Sequence, residues 1–130
     1  MAFTVLVVDD NRMMRGMVSR AVGMSGLLIG TMLEAGDGKQ ALVAMRAEWV
    51  DLVLLDINMP VMDGEEFLSQ VRADPVLRAT MVIVVSTESS QPRIARLKLM
   101  GAGFIHKPFR PEQLVAAVND LMAGKIGGAP

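Results

Sequence analysis

Short continuous apolar runs alternate along the chain with stretches whose apolar residues recur at helical spacing. Val5-Leu6-Val7-Val8, Leu52-Val53-Leu54-Leu55 and Met81-Val82-Ile83-Val84-Val85 are the strong runs. They are rich in β-branched residues, and each stops abruptly at a polar residue: Asp9-Asp10, Asp56 and Ser86. That pattern predicts buried strands. Thr31–Ala35, closed by the Gly36-Asp37-Gly38 turn, is a weaker strand, and Gly103–His106 is the last. Between them lie five amphipathic stretches: Arg12–Met24, Lys39–Trp49 behind a cap at Asp37, Glu65–Arg72, Arg93–Met100 opened by Pro92, and Pro111–Met122. The order is βαβαβαβαβα. Strands apolar on both faces belong in a parallel sheet covered by helices on each side. Trp49 is expected to pack where the second helix meets the third strand.

At 130 residues the chain holds one domain, residues 1–123, followed by a glycine-rich tail over 124–130. The absence of cysteine removes disulfides, thiolate metal sites and a thiol nucleophile. A formal charge of 13 − 14 = −1 argues against nucleic acid as the main partner. No apolar run approaches the roughly 18 residues of a membrane span, and the first residues do not read as a signal peptide. The expectation is a cytoplasmic monomer with no membrane contact. Twelve methionines are expected as adaptable core filler. A methionine that faces water would instead contribute a plastic binding surface.

The polar residues change the picture most. Asp9 and Asp10 follow the first strand, Asp56 the third, Ser86 the fourth and Lys107 the fifth. Open α/β sheets bind ligands beyond the carboxyl ends of their strands, where the strand order reverses. Three carboxylates gathered there repel one another unless a cation joins them. An all-oxygen ligand set on a small, partly open site suits Mg²⁺. Mg²⁺ and Lys107 together would neutralise a phosphoryl group, Ser86 would donate a hydrogen bond to it, and one carboxylate would serve as its acceptor.

Four motifs in this order carry a family resemblance: Leu6-Val7-Val8-Asp9-Asp10-Asn11, Leu54-Leu55-Asp56-Ile57-Asn58-Met59-Pro60-Val61-Met62-Asp63-Gly64, Val85-Ser86-Thr87-Glu88 and Lys107-Pro108-Phe109. The sequence resembles the receiver domains of response regulators in two-component signalling, over about residues 4 to 122. The resemblance implies a doubly wound, flavodoxin-like sheet of five strands in the order 2-1-3-4-5 with five helices. It implies that Asp56 is phosphorylated by a histidine kinase or phosphotransfer protein. It implies that Asp10 and Asp56 bind Mg²⁺ through their carboxylates, Asn58 through its backbone carbonyl and Asp9 through a water. Ser86 and Lys107 would contact the phosphoryl oxygens. Phe104 stands at the family's switch aromatic, and Pro108 would follow a cis peptide bond. The sequence departs from the family at Ser86, where threonine is commoner, at Phe104, which lacks a tyrosine hydroxyl, and at Arg110, a poor cap for the last helix.

Ile94, Phe104 and His106 mark the face by which receivers commonly report their state, with Ile94 expected to be apolar and exposed. The charges of Arg93, Arg96 and Lys98 read as a solvated helix face. On the first helix the stripe Met14, Val18, Ala21, Val22 is the expected core face, which leaves Met13 and Gly16 for docking of the kinase. The leading reading is a phosphorylation-controlled switch that acts on a downstream target protein, either of chemotaxis type or as a phosphorelay intermediate. A Mg²⁺-dependent phosphatase with an aspartyl nucleophile is the alternative, but it needs an acid where Asn58 stands. A flavin-binding electron carrier needs a hydroxyl-rich phosphate loop where Asp9 and Asp10 stand.

Overall fold

A computed structural model describes residues 2–87 and 89–124. The expected tail from Lys125 onward, and Glu88 of the third motif, lie outside the described residues. The elements run β1 (Phe3–Val8), α1 (Arg12–Gly23), β2 (Ile29–Ala35), α2 (Gly38–Ala47), β3 (Leu52–Leu55), α3 (Gly64–Ala73), β4 (Met81–Ser86), α4 (Gln91–Leu99), β5 (Gly103–His106) and α5 (Pro111–Met122). The strands form one sheet in the order β2-β1-β3-β4-β5, and every neighbouring pair is parallel. No helix among the described residues is long and apolar enough to cross a membrane.

Because side chains alternate along a strand, each apolar run feeds two cores. Val5, Val7, Leu52, Leu54, Ile83, Val85 and Ile105 pack on one face with Val18 and Val22 of α1 and Leu114 and Val118 of α5. Leu6, Val8, Val53, Leu55, Val82 and Val84 face the other way, against Leu42 of α2, Phe67 and Leu68 of α3 and Leu97 of α4. Phe67 is fully buried, and burial of such a side chain stabilises by about 1.5–3 kcal/mol.

The helices begin where short polar side chains accept from their first turn. Asn11 accepts from the Met14 N–H at 3.1 Å, Asp37 from Gln40 at 2.9 Å and Asp63 from Glu66 at 2.9 Å. Arg110 makes no such bond, but Pro111 follows it and Gln113 Oε1 accepts from the Arg110 N–H at 2.7 Å, so α5 keeps half of a capping box.

Trp49 departs from expectation. α2 ends at Ala47, so the indole falls in the loop before β3 and is 74% exposed. Its Nε1 donates to Asp51 Oδ1 at 3.0 Å. The methionines divide: Met45, Met59 and Met62 are core, whereas Met13, Met17, Met24 and Met122 face water.

Candidate functional site: an acidic pocket at the strand switch point

From β1 the chain steps outward to β2, then returns across the sheet to β3 on the other side of β1. The reversal leaves a crevice beyond the carboxyl ends of β1 and β3. Val8 is paired with Leu55, so Asp9 and Asp56 leave their strands side by side. The ladder continues one residue past the strands and fixes them: Asp9 N donates to Ala35 O at 3.1 Å, Asp56 N to Val8 O at 2.9 Å and Lys107 N to Ser86 O at 2.9 Å.

The side chains then converge. Carboxylate oxygens of Asp9, Asp10 and Asp56 lie within 4.8 Å of one another. Lys107 Nζ stands 3.1 Å from Asp9 Oδ2 and 3.8 Å from Asp56 Oδ1. The second oxygen of Asp9 accepts from Asn11 N at 2.9 Å, so this buried carboxylate is engaged on both sides. Asp10 is exposed and Asp56 is half-buried. Burial pushes the Asp56 carboxyl above its ordinary value, and the Asp9 and Asp10 charges push it further; Lys107 and a backbone hydrogen bond from Asn58 draw it back. Ser86 is buried at the end of β4, the strand beside β3, and its carbonyl accepts from Lys107 N.

The loop after β3 is held close to this pocket. A Cβ at Gly64 would stand 2.6 Å from both Asp56 O and Ile57 Cα, so only glycine permits the approach, and Gly64 N donates to Ile57 O at 3.1 Å. In the same loop Val61 adopts φ 67°, a left-handed conformation unusual for a β-branched residue.

The donor set fits a hard divalent cation. Three carboxylates supply oxygen alone, and their mutual repulsion is relieved by positive charge. Asp9 is paired with Lys107 and Asn11, Asp56 faces Lys107 at 3.8 Å, and Asp10 is exposed.

The sequence model of the response regulator receiver domain matches residues 5–119. The chain belongs to the response regulator receiver domains. It is 34% identical over 116 residues to the probable chemotaxis protein CheY of Rhizobium etli, covering 88% of each chain. It is 36% identical over 123 residues to the probable transcriptional regulatory protein TcrX of Mycobacterium tuberculosis, where it covers 92% of this chain and 49% of that protein. The receiver thus spans about half the length of that relative and 32% of a Caulobacter vibrioides protein-glutamate methylesterase/protein-glutamine glutaminase. Among solved structures, chemotaxis protein CheY4 of Vibrio cholerae superposes with a TM-score of 0.80 at 34% identity, covering 93% of this chain and 99% of that one. CheY-type receivers of this kind are response regulators of two-component signalling.

The remaining residues singled out from the sequence fall out unevenly on the receiver. The Lys107–Pro108 peptide is cis. The Phe104 and His106 rings share one face of β5, with centroids 6.5 Å apart. Phe104 is half-buried against the α2–α4 core, and His106 is exposed. Ile94 is not exposed: it is 9% accessible, because Ile94 and Leu97, three residues apart, form the inward face of α4. The expected patch is therefore reduced to His106 and one edge of Phe104. On α1, Val18 and Val22 are core, Met13 is 74% exposed, and a Cβ at Gly16 would meet nothing within 4 Å.

Two features escaped the sequence reading. Arg15 donates from Nη1 to Asp9 O at 2.7 Å and from Nε to Glu34 at 3.0 Å, buttressing the loop that carries Asp9 and Asp10. Arg93 is not a solvated charge: its Nε lies 3.4 Å from Glu65 Oε1 and its Nη1 3.5 Å from Asn58 Oδ1. The sequence signal for Arg15 was available in its place one helical turn after Asn11; the α3–α4 contact had no local signal.

Proposed function

We propose that this receiver takes up a phosphoryl group on Asp56 from a histidine kinase or phosphotransfer protein and passes the signal on by contact with a target protein. The observation that carries the reading is the convergence of Asp9, Asp10 and Asp56 on one another and on Lys107. Asp56 is the acceptor in this reading: it stands within reach of Lys107 and of both other carboxylates, and its partial burial raises the basicity of its oxygens while leaving them accessible. An Asp56 oxygen forms the new bond to phosphorus as the bond to the donor nitrogen breaks, and the donor imidazole leaves with the electron pair. Lys107 and the Ser86 hydroxyl stabilise the oxygens of the transferred group.

Asp10, Asp56 and the Asn58 carbonyl would hold Mg²⁺, with Asp9 acting through a water. When bound, Mg²⁺ supplies positive charge to the transferring phosphoryl oxygens. The reading is supported by a crystallised CheX–CheY–BeF3–Mg complex from Borrelia burgdorferi, whose matching chain superposes with a TM-score of 0.82 at 27% identity. Met13, Gly16 and the neighbouring exposed Met17 form the surface for the donor. Phe104, packed on the core edge beside the fourth helix, moves with Ser86 to report the state. Asn58 is a carboxamide and cannot act as a general acid, which disfavours a phosphatase acting on external esters.

Incubation with acetyl phosphate and Mg²⁺, followed by intact-mass measurement, tests the reading. One added phosphoryl group on wild type, none without Mg²⁺ and none on Asp56→Asn is the expected result. Equal labelling of wild type and Asp56→Asn would remove Asp56 as the acceptor.

A further inference from the structure

The two ends of α4 are held by different chemistry. At its C-terminal end the half-buried Arg72 guanidinium donates to Met100 O at 2.7 Å and Gly101 O at 3.4 Å, while its Nη1 reaches Thr80 O at 2.8 Å. These hydrogen bonds tie the end of α4 to α3 and to the start of β4. At the other end the hold is ionic and wetter. Glu65 Oε1, at the start of α3, faces Arg93 Nε at 3.4 Å and Arg96 Nη2 at 3.6 Å, and these three side chains are 33%, 24% and 57% exposed. Ion pairs of this exposure are individually weak, so a nearby change of charge can redistribute them.

The ionic end touches the phosphoryl site. Arg93 Nη1 stands 3.5 Å from Asn58 Oδ1, two residues after Asp56. Glu65 follows Gly64, the residue whose backbone is pressed against Asp56 O and Ile57. Of the two anchors opposite α4, Asn58 belongs to the loop that carries the acceptor and Glu65 to the first turn of α3 directly behind it, and both cations belong to α4.

We propose that Glu65, Arg93 and Arg96 form a charge latch that holds the N-terminal half of α4 against α3 until negative charge arrives at Asp56 and competes for Arg93. This rests on the acceptor reading above. A phosphoryl group adds roughly −1.5 to −2 charge. Arg93, already at the loop, turns toward that charge, and Glu65 keeps only the exposed Arg96. The first turns of α4 are released while Arg72 holds the last, so the helix swings about its C-terminal end. Coupling of this kind is reciprocal: a latch that favours the unloaded arrangement must weaken binding at the acceptor, and cutting the latch must strengthen it.

Beryllofluoride with Mg²⁺, a phosphoryl mimic, is the probe. Its apparent affinity is measured by amide NMR for wild type, Glu65→Gln, Glu65→Asp and Arg96→Gln, together with amide hydrogen exchange along α4 in the unloaded proteins. Glu65→Gln is expected to bind roughly two- to fivefold tighter, the range one or two exposed ion pairs allow. Arg96→Gln, whose pair with Glu65 is kept in the loaded state, is expected to change the affinity by less than about twofold, and Glu65→Asp returns toward wild type. Exchange should quicken in the first half of α4 in Glu65→Gln and stay unchanged near Met100. If Glu65→Gln binds as wild type does, or if exchange quickens equally along the whole helix, the latch is wrong and the acceptor reading stands. If wild type itself takes no beryllofluoride, the acceptor reading falls and the latch with it.

Discussion

The two ends of the sheet are built from similar residues and do opposite things with them. At the amino ends of the strands, polar groups are matched locally. Asp51 accepts from Thr4 N at 2.8 Å and from the Trp49 indole at 3.0 Å, one partner for each oxygen. Around it Trp49, Val50, Val76 and Thr80 shape shallow apolar clefts. At the carboxyl ends, three carboxylates crowd round one lysine, and Asp56 has its carboxyl pushed above its ordinary value. Like charges gathered in a partly buried pocket weaken a fold. The contrast teaches that one end matches its charges locally, and the other keeps a local electrostatic cost that an incoming cation relieves.

The most damaging way to break the active end is steric. Gly64→Ala drives a Cβ into Asp56 O and Ile57 Cα, and is expected to cost about 2–3 kcal/mol of stability, read by urea denaturation. Chemical damage comes next. Asp10→Ala should weaken Mg²⁺ binding about tenfold or more, and Asp9→Ala by less, since Asp9 already spends both oxygens on Lys107 and Asn11. Calorimetric titration of the two variants decides the order, and a larger loss in Asp9→Ala reverses the roles.

Removing a charge from the pocket should stabilise it. Without metal at neutral pH, Asp56→Asn is expected to melt about 3–5 °C above wild type. The folded wild type holds the Asp56 proton more tightly than the unfolded chain does. Its stability from this group is therefore present below the unfolded carboxyl value and lost as pH rises through the raised folded one. The gap between variant and wild type opens across that window and closes below it. A gap that widens on acidification contradicts the electrostatic account.

A smaller gain is expected from Val61→Gly, which relieves the left-handed backbone beside the pocket and should stabilise by about 1 kcal/mol after the added freedom of the unfolded chain. Trp49→Ala, at the opposite end, should change stability by less than about 1 kcal/mol and leave Mg²⁺ affinity unaltered. A change in Mg²⁺ affinity there would mean that the two ends are not independent.

Most of this architecture is legible in the chain itself. Apolar runs such as Leu52–Leu55 read as two-sided strands, and the residue after each run stands at the ligand edge, which brings Asp9, Asp56 and Lys107 together. Ile94 misled because two faces of a short amphipathic helix compete, and its pairing with Leu97 rather than its neighbours Arg93 and Lys98 decides burial. Trp49 misled because the helix before it stops two residues early, which no propensity signals. The Glu65–Arg93 contact joins residues 28 apart across two helices and depends on how they pack, so no spacing in the sequence announces it.

The central claim is that the crowded carboxylates exist to make Asp56, and not its neighbours, the phosphoryl acceptor. Borohydride trapping addresses it directly, because it reduces an aspartyl phosphate to homoserine and leaves free aspartate untouched. After loading with acetyl phosphate and Mg²⁺, tandem mass spectrometry of the trapped peptides should find the conversion at Asp56 alone. Conversion at Asp9 or Asp10, or no conversion at all in a fully folded chain, would contradict the account.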